Sequence, residues 1–331
     1  IQKDLDDGID TIGKKMTVCQ LYAKQIRHRG NVRYNTKNGR KRLMKLLEED
    51  KLGGCPIDSV KLSDAKEWAI RMKEKGISYK TISNDKRSLK AAFYTAIQDD
   101  CIRKNPFDFQ LNTFIEDDTE PKVPLTPAQE ESFLSFAQND KVYQKYYAEL
   151  IILLGTGLRI SELCGLTDTD INFENRIINV DHQLLRSAET GYYIETPKTK
   201  SGIRQIPMSE KVYEAFNRVL KRRRGAKAVT IDGYSNFLFL NRDGYPKTAT
   251  NYDGMFRGLA KKYNKYHEEA LPKVMTPHTL RHTFCTNMAN AGMNPKALQY
   301  IMGHSNITMT LNYYAHATFD SAKAEMLRIA A

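Results

Sequence analysis

The chain has 331 residues, of which 41 % are hydrophobic and 27 % charged, enough for two domains with cores of their own. No apolar run reaches the roughly 18–20 residues that a membrane span needs, and no charged-then-apolar leader opens the sequence. Five scattered cysteines (Cys19, Cys55, Cys101, Cys164, Cys285) lack any C-x-x-C spacing, which argues against a disulfide framework or a zinc site and fits a reducing cytosol.

The formal charge of +12 makes a polyanion a natural partner. Its distribution says more than its size. Between Lys14 and Lys104 there are 23 Lys+Arg against 10 Asp+Glu, so this segment holds the whole excess and the rest is close to neutral. A basic module of this kind points to nucleic acid.

That module reads as helices: TVCQLYAKQIRHRG, SDAKEWAIRMKEKG and YKTISNDKRSLKAAFYTAIQDD, with Ser63 and Asp64 as a helix start and Gly76 as a stop. The acidic stretch IEDDTEPKVPLTPAQE, with three prolines, reads as an interdomain linker ending near Pro124. The division expected is 1–13 as a remnant or linker, 14–110 as the helical module, 111–124 as the linker, 125–318 as a second domain and 319–331 as a helical tail. The second domain is mixed. A helix from Thr126 to Asn139 precedes the apolar helix YQKYYAELIILLGTG. RIINVDHQLL and GYYIETPKTKSGIRQIPMS read as short strands, with KTKSG as a hairpin turn. A basic helix over 211–224 follows, then FLFLNRDG as a strand and turn. The remainder is helical, punctuated by Pro277, Gly292, Pro295 and Gly303.

Four stretches of the second domain carry chemistry. In GTGLRISEL a glycine-broken turn leads into a helix at Arg159, an arginine among apolar neighbours that needs an anionic partner. Glu162, three residues on, supplies an intramolecular one. KTKSGIRQIP places Lys198 and Lys200 around a turn. In PHTLRHTF, His278 and His282 are four apart and could face each other on a helix, but an H-E-x-x-H glutamate is missing and Arg281 would repel a divalent cation, so an anion site is the better reading. MGHSNITMTLNYYAH brings His304 upstream of the pair Tyr313 and Tyr314. Two arginines, one or two lysines and several histidines, without a carboxylate cluster for Mg²⁺, suit the negative charge of a phosphoryl-transfer transition state. A tyrosine hydroxyl can then act as covalent nucleophile.

These four stretches resemble the active-site boxes of the tyrosine recombinases, the lambda-type phage integrase superfamily, and most closely integrases of Gram-positive conjugative transposons. The resemblance covers Leu125 to Ala317, with the basic module resembling the family's core-binding domain more loosely. It implies a mainly α catalytic domain with a small β-sheet (α+β), preceded by an all-α SAM-like domain, the two forming a C-shaped clamp around DNA. It implies a site-specific recombinase that cuts and rejoins DNA without metal or cofactor through a 3′-phosphotyrosyl intermediate, in a homo-tetramer passing through a Holliday junction.

Carried over, Arg159 and Arg281 would hold the scissile phosphate, with His278 beside them as hydrogen-bond donor or acid/base, His304 at the family's His/Trp position and Glu162 supporting the first arginine. Lys200, in a K-x-G-x-[KR] turn, would protonate the leaving 5′ oxygen, with Lys198 as the alternative. Relatives read Y-x-H at the nucleophile, which selects Tyr314, followed by Ala315 and His316, over Tyr313. Arg27, Arg29, Arg33, Arg40, Lys41 and Arg42 are the expected DNA contacts. The remaining expectations are double-stranded DNA and an excisionase accessory protein as partners, no membrane, and a bacterial cytoplasmic, nucleoid-associated location. A tail over FDSAKAEMLRIA would be suited to pack on a neighbouring protomer. The alternatives are a type IB topoisomerase-like enzyme and a non-catalytic DNA-binding protein with this fold.

Overall fold

The computed structural model describes residues 15–30, 32–120, 123–197, 199–223, 229–314 and 326–327. Residues 1–13, Lys198, His316 and nearly all of the expected 319–331 tail lie outside the described residues. The chain divides into two compact units, Ile1–Pro121 and Lys122–Ala331. No helix among the described residues is long and apolar enough to cross a membrane.

The first unit is built on α1 (Val18–His28), α2 (Tyr34–Glu48), α3 (Leu62–Glu74) and α4 (Tyr79–Gln98). Thr17 and Gln20 form a capping box on α1, and the Ser78 side chain caps α4. Helix α3 begins at Leu62, before the Ser63–Asp64 start read from the sequence. The reason is local: the Asp64 carboxylate accepts from the Lys61 N–H at 2.8 Å, so Asp64 works inside the first turn. The apolar faces bury Trp68, Phe93 and Phe107 completely, with Trp68 and Phe107 edge to face at 5.8 Å.

The second unit runs through α5 (Pro127–Asn139), α6 (Tyr147–Thr156), α7 (Ile160–Gly165), β1 (Ile171–Asn172), β2 (Ile177–Val180), β3 (Gln183–Ser187), β4 (Gly191–Glu195) and β5 (Arg204–Pro207). It ends with α8 (Glu210–Arg223), α9 (Ala249–Tyr266), α10 (Pro277–Asn290), α11 (Pro295–Met302) and α12 (Thr308–Leu311). Helix α6 is apolar almost all round and is therefore the central one, packed by α8 and α10, with Leu150, Ile152 and Leu153 fully buried.

Strands β1, β2 and β5 form one antiparallel sheet, while β3 and β4 form a separate hairpin. This corrects the sequence reading of KTKSG as a hairpin turn. Strand β4 pairs with β3 (Leu184 opposite Ile194), and β5 returns to β2 (Ile178 opposite Ile206). The cause is a local turn at Ser187–Gly191, where the Ser187 Oγ accepts from the Thr190 N–H at 2.9 Å, together with the alternation of β5, which buries Arg204 and Ile206. FLFLNRDG makes only isolated bridges, Thr167 with Phe237 and Leu240 with Pro246, rather than a strand.

Helix α6 stops at Gly157, whose φ of +63° reverses the chain toward Arg159. A Cβ there would lie 2.4 Å from the Phe284 ring and 2.9 Å from the Met302 sulfur. Gly157→Ala is expected to cost about 1–3 kcal/mol through strain and overpacking. The check is the denaturant midpoint of the variant against the parent chain.

Candidate active site

Three guanidinium groups meet one carboxylate. Arg159 is the N-cap of α7, and its Nη1 donates to Glu162 Oε1 at 2.7 Å while the Arg159 N–H donates to Oε2 at 2.9 Å. Arg204 of β5, with a fully buried side chain, donates to both Glu162 oxygens at 3.1 and 2.8 Å. Arg281, buried on α10, donates to the Gly157 carbonyl and to Met302 O, both at 2.5 Å. The same helix end takes the other two: Ile301 O accepts from Arg204 Nε at 2.6 Å and Gly303 O from Arg159 Nη2 at 3.1 Å. The last carbonyls of α11 have no partner within the helix, and three arginines supply them.

The electrostatics follow from this crowding. Burial works against the Glu162 carboxylate, yet Arg204, Arg159 and Arg281 hold its carboxyl down at about 2. Burial, reinforced by Arg159 and Arg204, presses Arg281 down to about 9. Three buried or half-buried cations against one carboxylate leave the cluster short of negative charge.

Gly303 ends α11 with φ +61°, and its missing side chain matters: a Cβ would sit 3.0 Å from Ser201 O and 3.1 Å from Arg204 Nη1. The turn Lys200–Gly202 therefore packs on the start of the next segment, with Gly202 O accepting from Arg204 at 3.0 Å. Lys200 is exposed on that turn, beside the cluster. His278 is exposed in the first turn of α10, one turn before Arg281. His304 follows Gly303 and is buried, its Nδ1 2.9 Å from Thr310 Oγ1. Burial, then Arg281, Arg159 and Arg204, lower it to about 4, so the ring is neutral at pH 7.

The tyrosine pair separates. Helix α12 stops at Leu311, and Tyr313 and Tyr314 continue in turns, their N–H groups donating to Thr310 O and Leu311 O. Tyr313 Oη lies 2.6 Å from His282 Nδ1, and burial pushes its phenol up to about 12, with Cys285 adding and Arg281 opposing. Tyr314 Oη instead donates to the Met293 carbonyl at 2.5 Å. Burial and Cys285 raise its phenol, and no arginine opposes them. The structure thus brings Arg159, Arg281, Glu162, the Lys200 turn and His304 together. Both tyrosines pack on the arginine-bearing helix, but only the Tyr313 hydroxyl meets one of its side chains, that of His282. Two participants are absent from the sequence reading of the site. Arg204 was visible only as the last residue of K-S-G-I-R, and His282 only as the fourth residue after His278.

Among the described residues, one group has metal-ligand types within reach: Asp170, Asp181 and His182. Asp181 meets His182 Nδ1 at 2.5 Å, whereas Asp170 lies 3.8 Å from Nε2, which also faces Gly165 O at 2.8 Å. One metal ion cannot sit on both edges of an imidazole, so the set fits a clamped structural histidine.

In the first unit, Lys37, Arg40, Lys41 and Lys45 rim a groove of about 490 Å³ floored by Ile26, Val32 and Met44. Arg27 and Arg29 are exposed at the end of α1, and Arg33 is the N-cap of α2. Arg42 is partly committed elsewhere, chelating buried Asp85 at 2.5 and 2.7 Å.

Residues 124–321 match the phage integrase family. The chain is 68 % identical over 329 residues to the transposase from transposon Tn916 of Enterococcus faecalis, covering 99 % of this chain and 81 % of that one. Residues 82–397 of the Tn1549 transposon integrase, solved with circular intermediate DNA, are 77 % identical with a TM-score of 0.90, over 95 % of this chain and 99 % of that one. That protein carries an arginine-to-lysine change at position 225. A second structure of it, with transposon right end DNA, has the same identity and TM-score over 96 % and 100 % of the two chains and a tyrosine-to-phenylalanine change at position 379, 154 residues further on. A lambda integrase dimer bound to a COC′ core site shares the fold at a TM-score of 0.61 and 16 % identity, over 90 % of this chain and 76 % of that one.

Glu162→Ala would leave three guanidinium groups around a vacated carboxylate. A loss of about 3–5 kcal/mol in folding stability is expected, and a smaller one for Glu162→Gln, which keeps an acceptor. Equilibrium unfolding of the two variants side by side tests the order.

Proposed function

The chain belongs to the phage integrase family, and on that premise we propose that Arg159, Arg281, His278, His304, Lys200 and Tyr313 perform its chemistry. It is a tyrosine recombinase, a site-specific enzyme that cuts and rejoins double-stranded DNA to move a mobile element. The observation that carries the site assignment is the arginine cluster, short of negative charge, next to the half-buried phenol of Tyr313.

A scissile phosphate supplies the missing anion. Arg159 and Arg281 take its non-bridging oxygens, since guanidinium groups held by fixed carbonyls keep their remaining N–H donors aimed. His278 donates beside them. With the Thr310 hydroxyl donating to Nδ1, neutral His304 offers an Nε2–H to the same phosphate. The tyrosine oxygen attacks phosphorus, and Lys200 protonates the departing 5′ oxygen, leaving a 3′-phosphotyrosyl link whose energy serves the rejoining step. Glu162 and Arg204 hold the arginines in place.

The nucleophile is reassigned here from Tyr314 to Tyr313, on two supports. The Tyr314 hydroxyl is engaged by the Met293 carbonyl, whereas Tyr313 lies within the field of Arg281. The arginine and tyrosine altered in the Tn1549 integrase are 154 residues apart, the separation of Arg159 and Tyr313, while Tyr314 is one residue too far. The Y-x-H match behind Tyr314 depends on His316, outside the described residues.

The basic first unit, through Arg27, Arg29, Arg33, Arg40 and Lys41, holds DNA by its phosphates, which makes binding strongly salt-dependent. A homo-tetramer passing through a Holliday junction, an excisionase as accessory partner, and action at the bacterial nucleoid complete the proposal. A nicked suicide duplex tests the nucleophile. Tyr313→Phe abolishes the covalent protein–DNA band and Tyr314→Phe retains it, with or without EDTA. An adduct that survives Tyr313→Phe sinks the assignment.

A neutral donor at His304 makes a second, independent test. Its folded value near 4 lies below the ordinary 6.5, so the ring does not titrate between pH 6 and 8 in the folded enzyme. Stability is full above about 6.5 and falls as the pH drops toward 4, because the unfolded chain takes up that proton first. His304→Trp, which keeps a neutral N–H, retains cleavage, while His304→Ala loses about 10–100-fold. Single-turnover cleavage rates compare the two.

A further inference from the structure

Nothing above accepts the proton that Tyr313 must lose, and the need is real. Burial and Cys285 raise the phenol to about 12, and Arg281 offsets only part of that. Among the described residues, His282 is the histidine whose ring nitrogen meets Tyr313 Oη, while His278, one turn earlier, is assigned to the phosphate as donor. Lys200 serves the leaving group, Glu162 is occupied by arginines, and His304 Nδ1 faces Thr310. His282 is placed differently. It lies one turn beyond His278 on the same flank of α10, directly after Arg281, and its Nδ1 stands 2.6 Å from Tyr313 Oη, with the two rings 5.5 Å apart and tilted by 41°.

We propose that His282 is the general base of strand cleavage, taking the Tyr313 proton at Nδ1 as Oη closes on phosphorus. The proposal rests on Tyr313 being the nucleophile. In the step, the Oη–P bond forms and the P–O5′ bond breaks. The phenol proton passes to Nδ1, leaving an imidazolium, and the 5′ oxygen takes a proton from Lys200. For rejoining, the neutral Lys200 takes the proton of the attacking 5′ hydroxyl, and Nδ1–H returns its proton to the departing Oη. The imidazolium forms beside the Arg281 cation, with His278 and His304 also nearby. Proton transfer therefore coincides with the charge that builds on the phosphoryl oxygens, not before it. His282 carries its own proton on Nε2 in the resting enzyme, so that Nδ1 can accept.

The test uses the full chain and a nicked suicide duplex, with DNA binding and thermal unfolding measured on every variant. His282→Ala is expected to slow covalent-adduct formation by about 10²-fold at unchanged DNA affinity. His282→Gln, which keeps a hydrogen bond to Oη but takes up no proton, is expected to be equally slow. A fluorinated tyrosine at position 313, whose phenol is more acidic, restores most of the rate in the His282→Ala and His282→Gln backgrounds and changes little with His282 intact. Two results overturn the proposal: a His282→Gln enzyme as fast as the parent, or a slow variant that the fluorinated tyrosine does not rescue. Peptide mapping of the parent adduct separates the two levels. An adduct on Tyr314 removes the underlying reading, whereas an adduct on Tyr313 without rescue removes only the role of His282.

Discussion

Three consecutive carbonyl groups at the end of α11 accept from three different arginines: Ile301 from Arg204, Met302 from Arg281 and Gly303 from Arg159. A helix C-terminus leaves such groups without internal partners, and its dipole is negative there. The arrangement ties β5, α10 and the start of α7 to a single point, so none of the three can move without leaving a buried carbonyl or a buried cation unpartnered. The left-handed Gly303 makes it possible. It ends the helix at that residue and leaves room for the Lys200–Gly202 turn to close on the same spot.

This frame also sets the charge. The carbonyls contribute partial charges only, and among the described residues Glu162 is the carboxylate bonded to Arg159 and Arg204. Burial is the main cause that lowers Arg281 and His304, with the neighbouring arginine charges adding to it, whereas at Glu162 burial opposes and the same arginines prevail. Arg204 matters in this balance. It occupies both Glu162 oxygens from the buried side and shares that single carboxylate with Arg159, so the three arginines together keep an excess of positive charge. A second carboxylate would cancel that charge, and removing Glu162 would leave the arginines to repel one another. A site poised this way suits the phosphate we propose for it, and suits the more highly charged transition state better.

Much of this was legible in the sequence because chain reversals carry marks. Gly157 before Arg159, Pro277 before His278 and Gly303 before His304 each announce a helix end, and the functional residues sit at those ends. What was not legible depends on distance along the chain. Arg204 meets Glu162 across 42 residues, and no local pattern distinguishes a buried arginine in a strand from a solvated one. Strand β5 pairs with β2 across an inserted hairpin, so KTKSG, with the composition of a turn, connects two sheets instead. The tyrosine pair was hard to resolve for a related reason. A continuous helix would put Ile307, Leu311 and Tyr314 on one face, but α12 ends at Leu311, which is itself exposed.

That interruption gives the two tyrosines different duties. Tyr314 is held by the Met293 carbonyl, in the loop between α10 and α11, and so anchors the turn on which both residues lie. Tyr313 is held through its hydroxyl by His282, a residue of the helix that carries Arg281. The Tyr313 oxygen is therefore positioned by the helix that carries Arg281 as well as by its own backbone. A nucleophile on a short irregular segment would otherwise lack the sub-ångström alignment that in-line displacement requires. Because His278, Arg281 and His282 fall within five residues of one helix, the groups we propose as hydrogen-bond donor, phosphate clamp and proton acceptor keep a fixed mutual geometry. Small movements of the turn then change only one variable, the approach of Oη to phosphorus.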